Sequence, residues 1–199
     1  MTTPNQYREI DDRVYDTDSS KVKIPFRSDN KARNKFTEGT TGQQYVILKT
    51  VDTNDKSNSQ GYTQNGFQGM AVAPCDENGV PQKDKVIVAF AGTNKEDGKD
   101  LNTDANNVFF GSKEFKQRTG LNSGVRGDSQ FTSAEQFYNE VAKMPDVNVV
   151  SLTGHSLGGA LAQKVAAENE LPAVTFSTAG VGLQLTDKEK NGLMEKEKT

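Results

Sequence analysis

The stretch TGHSLGGALA, residues 153–162, constrains the fold of this chain more than any other feature of the sequence. Its G-x-S-x-G core consists of Gly154, Ser156 and Gly158. An apolar run precedes the core and a run of small residues follows it, as in a strand that turns sharply into a helix. A Cβ atom at either glycine would crowd such a turn. The pattern therefore predicts a serine raised above the edge of a sheet.

The rest of the pattern predicts an α/β domain. Three apolar, β-rich runs predict consecutive strands, with an Asn-Gly turn signal between the last two: residues 44–51, 66–73 and 85–91. Helix and strand patterns then alternate, which is typical of parallel crossover connections: residues 132–143, 148–153, 156–170 and 173–177. A short amphipathic helix is expected over residues 5–15, whereas residues 16–43 read as irregular. We predict one domain over residues 1–199, with a mixed, mostly parallel sheet and flanking helices.

Two local signals refine these elements. Thr132 and Glu135 have the spacing of a capping box, which predicts that the helix there begins at about Thr132. The charged tail, residues 186–199, is helix-like, with only Leu193 and Met194 able to pack. We interpret its charge as a solvated face.

Composition argues against several classes of function. Hydrophobic residues make up 33% of the chain and charged residues 26%, with both signs interspersed and a formal net charge of -3. No basic face is evident, so nucleic acid is not an expected partner. No apolar stretch approaches the roughly 20 residues of a membrane span, so lipid contact would be peripheral. Cys75 is the only cysteine, and no His/Cys cluster has metal-ligand spacing, so we expect no disulfide, metal or other cofactor.

The stretch GHSLGGALA resembles the nucleophile elbow of the lipase class 3 family, whose members have an α/β-hydrolase fold. Upstream, VIVAFAGT (residues 86–93) is similar to the strand of that family that ends in F-R-G-T. The motif and the resemblance make Ser156 the catalytic nucleophile and the Leu157 N–H an oxyanion donor. The resemblance further implies Thr93 as the second oxyanion residue. Ala91 stands where the family usually has arginine, a departure that concerns local packing more than chemistry.

A serine hydrolase also needs a histidine base and an acid that orients it. The single histidine, His155, directly precedes Ser156, and we expect it to face the core beneath the turn as a structural residue of the elbow, with Gly154 and Gly158. In the family, the acid and base lie on loops beyond two later strands. Asp187 comes too early to match that acid, and we interpret it as a helix-start residue.

Three explanations for the missing base stay open: the remainder of a longer protein, a second polypeptide, or a degenerate hydrolase that only binds. The first is favoured, because the predicted strands do not complete an α/β-hydrolase sheet. The chain is then the N-terminal part of a longer catalytic domain, incomplete on its C-terminal side and inactive alone. The resemblance implies a serine carboxylic-ester hydrolase that acts on lipid esters, of lipase or phospholipase A type. The alternative is a catalytically inactive lipase-fold binding or scaffold module.

The polar stretch at residues 94–107 lies in the lid region of the family and would dock poorly on a fat droplet, which favours phospholipid or soluble esters. The N-terminus lacks the basic start and apolar segment of a cleavable secretory signal. A lipase-like domain without such a signal is similar to lipase-domain toxins that bacteria export by specialised systems. That likeness implies secretion by a signal-peptide-independent route and a protein inhibitor as partner. If the protein is not exported by such a route, the expected location is the cytoplasm.

Overall fold

A computed structural model describes residues 2–92 and 130–177 of the chain. Within these ranges the backbone forms three α-helices, two short 3-10 helices and a sheet of six strands. The elements in chain order are α1 (Pro4–Val14), a 3-10 helix (Tyr15–Thr17), β1 (Lys35–Thr37), β2 (Gln44–Asp52), β3 (Gln68–Pro74), a 3-10 helix (Lys83–Lys85), β4 (Val86–Phe90), α2 (Gln130–Ala142), β5 (Val149–His155), α3 (Leu157–Glu168) and β6 (Ala173–Phe176).

The six strands lie in the sheet in the same order as in the chain. Pairing is antiparallel from β1 to β4 and parallel from β4 to β6. The predicted α/β class, with a mixed sheet and flanking helices, is confirmed. Among the described strands three pairs are antiparallel and two are parallel, so the expectation of a mostly parallel sheet is wrong for this part of the chain. The parallel pairs lie where helices and strands alternate along the sequence.

Strand β4 runs through the centre of the fold and all five of its residues are buried. Because side chains alternate along a strand, Val88 and Phe90 face one side of the sheet and Ile87 and Ala89 face the other. The first pair packs with residues of α2 and α3, and the second pair packs with residues of α1. The sheet therefore lies between α1 on one face and the α2–α3 pair on the other. A strand buried on both faces must be apolar throughout, which explains the continuous run seen in the sequence.

One unpredicted strand and one helix boundary differ from the sequence-based predictions. Strand β1 lies within residues 16–43, which were expected to be irregular. Helix α2 begins at Gln130, so Thr132 is inside the helix and the predicted capping box at its start is wrong. The Gln130 side chain donates a hydrogen bond to the Asn65 carbonyl oxygen at 2.8 Å, which connects this end of α2 to the loop before β3. A capping box is found instead at the start of α1.

In that capping box, the Gln6 N–H donates to Thr3 Oγ1 and the Thr3 N–H donates to Gln6 Oε1. These two bonds satisfy backbone donors that the first turn of a helix otherwise leaves without partners. The predicted tail helix at 186–199 and the polar stretch at 94–107 lie outside the described residues. Of the helices in the described ranges, none is long and apolar enough to cross a membrane.

Candidate active site

Ser156 occupies the sharp turn between the end of β5 and the start of α3. Its backbone has φ 55° and ψ -121°, a region that a residue with a side chain adopts only at a cost of about 1–3 kcal/mol. Two backbone hydrogen bonds hold it there: its N–H donates to the Phe176 carbonyl oxygen at 3.0 Å, and its own carbonyl oxygen accepts the Ala160 N–H at 3.2 Å. The residue is partly exposed, so an external molecule can reach this turn.

The two glycines of the G-x-S-x-G core mark the places where backbone meets backbone. A Cβ atom on Gly154 would lie 2.3 Å from the carbonyl carbon and oxygen of Gly158. A Cβ atom on Gly158 would lie 2.0 Å from the Phe90 carbonyl oxygen. Neither distance is compatible with a side chain, so only glycine lets the first turn of α3 pack against the ends of β4 and β5.

The end of β4 reaches the same turn through Gly92. A Cβ atom on Gly92 would lie 2.5 Å from the His155 carbonyl oxygen and 3.3 Å from the Leu157 backbone nitrogen. The Leu157 N–H belongs to the first turn of α3, where backbone donors have no partner within the helix and the helix dipole favours negative charge. Thr93, the predicted second oxyanion residue, lies outside the described residues. The structure thus places the predicted donor Leu157 beside the residue that precedes Thr93.

His155 ends strand β5 and pairs with Phe176 of β6. Strand alternation puts it on the same face as Thr153, which is the face that α1 covers. It is partly exposed, so it is less buried than the core position expected from the sequence. Asp187, interpreted above as a helix-start residue, lies outside the described residues.

Helix α1 supplies polar contacts to this region that the sequence analysis missed. Thr153 Oγ1 lies 2.8 Å from Asp11 Oδ1 and 2.7 Å from the Val174 carbonyl oxygen. The Asp11 side chain is buried, and burial raises the pKa of its carboxyl group to about 8. The signal that could have found it is the four-residue spacing of Tyr7, Asp11 and Tyr15, which puts all three on one face of the predicted helix.

The described residues contain no group of three or more His, Cys, Asp or Glu side chains that could hold a metal ion. Cys75 is buried with a free thiol, and burial raises the pKa of that thiol. It lies beyond the far end of β3, since Gly69 at the start of that strand is the residue that pairs with Phe90. Cys75 is therefore remote from the turn at Ser156.

A mixed sheet with helices on both faces, and a serine on a strained strand-to-helix turn after a parallel strand, define a domain of the α/β-hydrolase type. The chain belongs to the phospholipase-like family described as the Tle-like phospholipase domain, which it matches over residues 12–198. This match confirms the prediction of a lipase or phospholipase family.

A shorter likeness points the same way. Over 56 residues, 28% of this chain, the sequence is 46% identical to ATG15 of Eremothecium gossypii, a protein named as a lipase. The aligned stretch is 10% of the length of that relative. The likeness therefore concerns a local region rather than the whole of either protein.

Proposed function

We propose that this chain is the nucleophile-bearing part of a lipid carboxylic-ester hydrolase, of lipase or phospholipase A type, that acts through an acyl-enzyme on Ser156. The observation that carries the proposal is the strained backbone of Ser156, a partly exposed residue at the N-terminus of α3. Membership of a phospholipase-like family supports lipid esters as the substrate class. The more specific resemblance to lipase class 3 stays a prediction.

The proposed reaction has two steps. Ser156 Oγ attacks the ester carbonyl carbon, its proton passes to a base, and the base returns that proton to the departing alcohol oxygen. Water then attacks the acyl-serine, which releases the fatty acid and restores the hydroxyl. In both steps negative charge develops on the carbonyl oxygen, and the Leu157 N–H with Thr93 would hold it. The positive end of the α3 dipole favours the same charge.

The base is assigned to a histidine outside these 199 residues. The single histidine of the chain, His155, is adjacent to Ser156 within the elbow and is held in strand β5. Neighbouring residues on so sharp a turn point in different directions, which leaves His155 poorly placed to accept the Ser156 proton. A longer catalytic domain that includes this chain is the favoured source of both the base and its acid.

Phospholipid or soluble esters are favoured over stored fat, because the polar residues 94–107 would dock poorly on a fat droplet. Contact with the membrane surface would be peripheral. Export by a signal-peptide-independent route and binding of a protein inhibitor rest on the likeness to exported lipase toxins, and both stay predictions.

The test is labelling with a fluorescent phosphonate, which reacts with activated serines, on this chain and on the protein that includes its adjoining natural sequence. Ser156→Ala removes the nucleophile. Ser177→Ala is the matched control, since Ser177 also has positive φ and directly follows a parallel strand. We expect labelling in the longer protein that Ser156→Ala abolishes and Ser177→Ala retains, with fatty acid released from phosphatidylcholine vesicles.

Absence of labelling in every folded form would contradict the catalytic proposal. It would favour the second candidate, a lipase-fold module that binds without catalysis, which the lack of a histidine other than His155 supports. Co-sedimentation with phosphatidylcholine vesicles separates the two, because the binding module retains vesicle binding and releases no fatty acid.

A further inference from the structure

Helix α1 and strand β5 run side by side with matched spacing. Four residues of an α-helix rise about 6.0 Å and two residues of a strand about 6.6 Å, so polar groups at these spacings stay opposite one another. Tyr7 Oη lies 2.8 Å from Ser151 Oγ, and one helical turn later Asp11 meets Thr153, two residues further along the strand. The helix therefore contacts β5 directly up to the residues that lead into the elbow.

The contact at Thr153 constrains where protons lie. The Thr153 hydroxyl has two short oxygen neighbours, Asp11 Oδ1 at 2.8 Å and the Val174 carbonyl oxygen at 2.7 Å. A hydroxyl carries one proton, and a carbonyl oxygen can only accept. If the Thr153 proton goes to Val174, the other contact is a hydrogen bond only when Asp11 carries a proton. When Asp11 is protonated, both contacts of the Thr153 hydroxyl are hydrogen bonds at the same time. When Asp11 is ionised, its carboxylate and the Val174 carbonyl oxygen compete for the single Thr153 proton.

Burial points to the same protonation state. Asp11 is 2% exposed and Thr153 is 0% exposed, and Asp11 Oδ2 has no hydrogen-bond partner in the part of the chain that the structure describes. Asp11 also makes no ion pair there with a cationic side chain. A buried carboxylate without such compensation is very costly, so the neutral form is favoured. Desolvation is the main reason that the pKa of Asp11 is raised to about 8; a hydrogen bond with Thr153 acts in the opposite direction, and the nearby charge of Asp12 adds a smaller increase.

On the face that α1 covers, β4 presents the apolar residues Ile87 and Ala89. Ionisable groups on the neighbouring elements include Asp12, Tyr7 and Tyr15 on the same helical segment, His155 on the same face of β5, and Arg8, which lies over the ring of Phe176 at the end of β6.

We propose that Asp11 is a neutral carboxylic acid in the folded protein and a positioning residue for the elbow, donating its proton to Thr153 Oγ1. This bond frees the Thr153 proton for the Val174 carbonyl oxygen, so one hydroxyl joins α1, β5 and β6 three residues before Ser156. Loss of the Asp11 proton would leave a buried negative charge, and the Thr153 hydroxyl could then donate to only one of its two oxygen neighbours. The inference that Asp11 is protonated does not depend on the proposed function, whereas the inference that it positions the elbow rests on that function.

The experiment compares Asp11→Asn and Asp11→Ala with the unmodified chain. Asparagine supplies an N–H donor to Thr153 at every pH, so it imitates the neutral acid, while alanine removes the contact. The first readout is the infrared carbonyl band of a protonated carboxylic acid at pH 7, which we expect in the unmodified chain and not in Asp11→Asn. An Asp11 that is ionised at pH 7 would overturn the proposal.

The second readout is the urea midpoint as a function of pH. A carboxyl whose folded pKa lies above its unfolded value stabilises the fold fully below the unfolded pKa and loses that contribution as pH rises through the folded pKa. The urea midpoint of the unmodified chain, taken relative to that of Asp11→Asn, should decrease as the pH is raised from about 3.8 to about 8 and should then level off. A difference between the two chains that does not change with pH would contradict the proposal.

The third readout is the rate at which phosphonate labels Ser156 in the longer protein. At pH 7 we expect Asp11→Ala to react roughly tenfold more slowly, because the elbow strand is less well positioned, and Asp11→Asn to keep most of the rate. Above pH 8 the unmodified protein should slow relative to Asp11→Asn. If Asp11→Asn is as slow as Asp11→Ala, the positioning role is wrong. If nothing labels at all, the proposed function fails while the first two readouts still decide the protonation state.

Discussion

The Tyr15 hydroxyl accepts the Gly92 backbone N–H at 3.0 Å, which joins the segment after α1 to the end of strand β4. Gly92 in turn touches the elbow, since its pro-Cβ position is 3.3 Å from the Leu157 nitrogen. Burial raises the pKa of Tyr15, so its hydroxyl is neutral at pH 7. One side chain thus fixes the strand end that leads into Thr93.

We predict that Tyr15→Phe lowers the free energy of unfolding by about 1–3 kcal/mol, because the Gly92 N–H loses its acceptor while the ring remains in place. The phosphonate reaction of Ser156 should slow with it. Urea denaturation checks the first effect. Tyr138→Phe is the control, since the Tyr138 hydroxyl makes no hydrogen bond within the described ranges. Equal losses of unfolding free energy in the two variants would show that the hydrogen bond from the Gly92 N–H to Tyr15 does not stabilise the fold.

Gly158→Ala should be among the most damaging single-methyl additions in the chain. The added Cβ would lie 2.0 Å from the Phe90 carbonyl oxygen, so the backbone of α3 or β4 must shift. We expect a loss of about 3 kcal/mol or more in the free energy of unfolding. Gly39→Ala is the matched control, because nothing lies within 4 Å of its pro-Cβ position. Comparable thermal midpoints for the two variants would contradict the close packing at the elbow.

Ser156→Gly should stabilise the protein while removing the nucleophile. Glycine adopts positive φ without steric cost, so the strain of about 1–3 kcal/mol is relieved, less the roughly 0.5–1 kcal/mol by which glycine favours the unfolded chain. A net gain of about 1 kcal/mol follows. Ser156→Ala removes the hydroxyl but keeps the strain, so it should show no such gain in urea denaturation. A gain in both variants would point to the hydroxyl rather than the backbone.

Glu38 gives the fold a dependence on acid pH. Its carboxylate accepts bonds from the Thr41 hydroxyl and from the Thr41 and Thr40 N–H groups, and these bonds lower its pKa to about 2. A folded pKa below the unfolded value stabilises the fold above pH 4.5, and the contribution is lost as pH falls towards about 2. The stability difference between the unmodified chain and Glu38→Gln should therefore be largest at neutral pH and shrink on acidification.

Glu77→Gln is the control for this experiment, because Glu77 is exposed. Thermal unfolding followed from pH 7 to about pH 2 makes the comparison. A Glu38→Gln difference that persists unchanged to the lowest pH would show that the carboxylate charge is not what stabilises this loop.

The parts of the fold that local patterns encode were predictable. The run VIVAF predicts β4 because a strand covered on both faces must be apolar throughout, and the spacing of glycines around Ser156 predicts the turn. Strand β1 was missed because it has three residues and only Phe36 is buried, which is too short to show a period.

The polar contacts beneath the elbow were beyond sequence reasoning for a different reason. Asp11 and Thr153 are 142 residues apart, and no local pattern links a carboxyl on one element to a hydroxyl on another. Each residue alone looks like an ordinary polar position on a helix or strand. Their pairing follows only from how α1 lies across the assembled sheet.

The parallel half of the sheet ends along a single edge, with Phe90 beside Gly154 and His155 beside Phe176. The residues that directly follow these strands, Ala91, Ser156 and Ser177, are far apart in the sequence, and the strand ends that precede them are neighbours in the sheet. The antiparallel pairs β1–β2 and β2–β3 lie outside this half. Substitutions directly after the parallel strands can therefore change the surroundings of Ser156 while the antiparallel pairs β1–β2 and β2–β3 stay intact, so evolution can alter this end of the sheet without altering the fold.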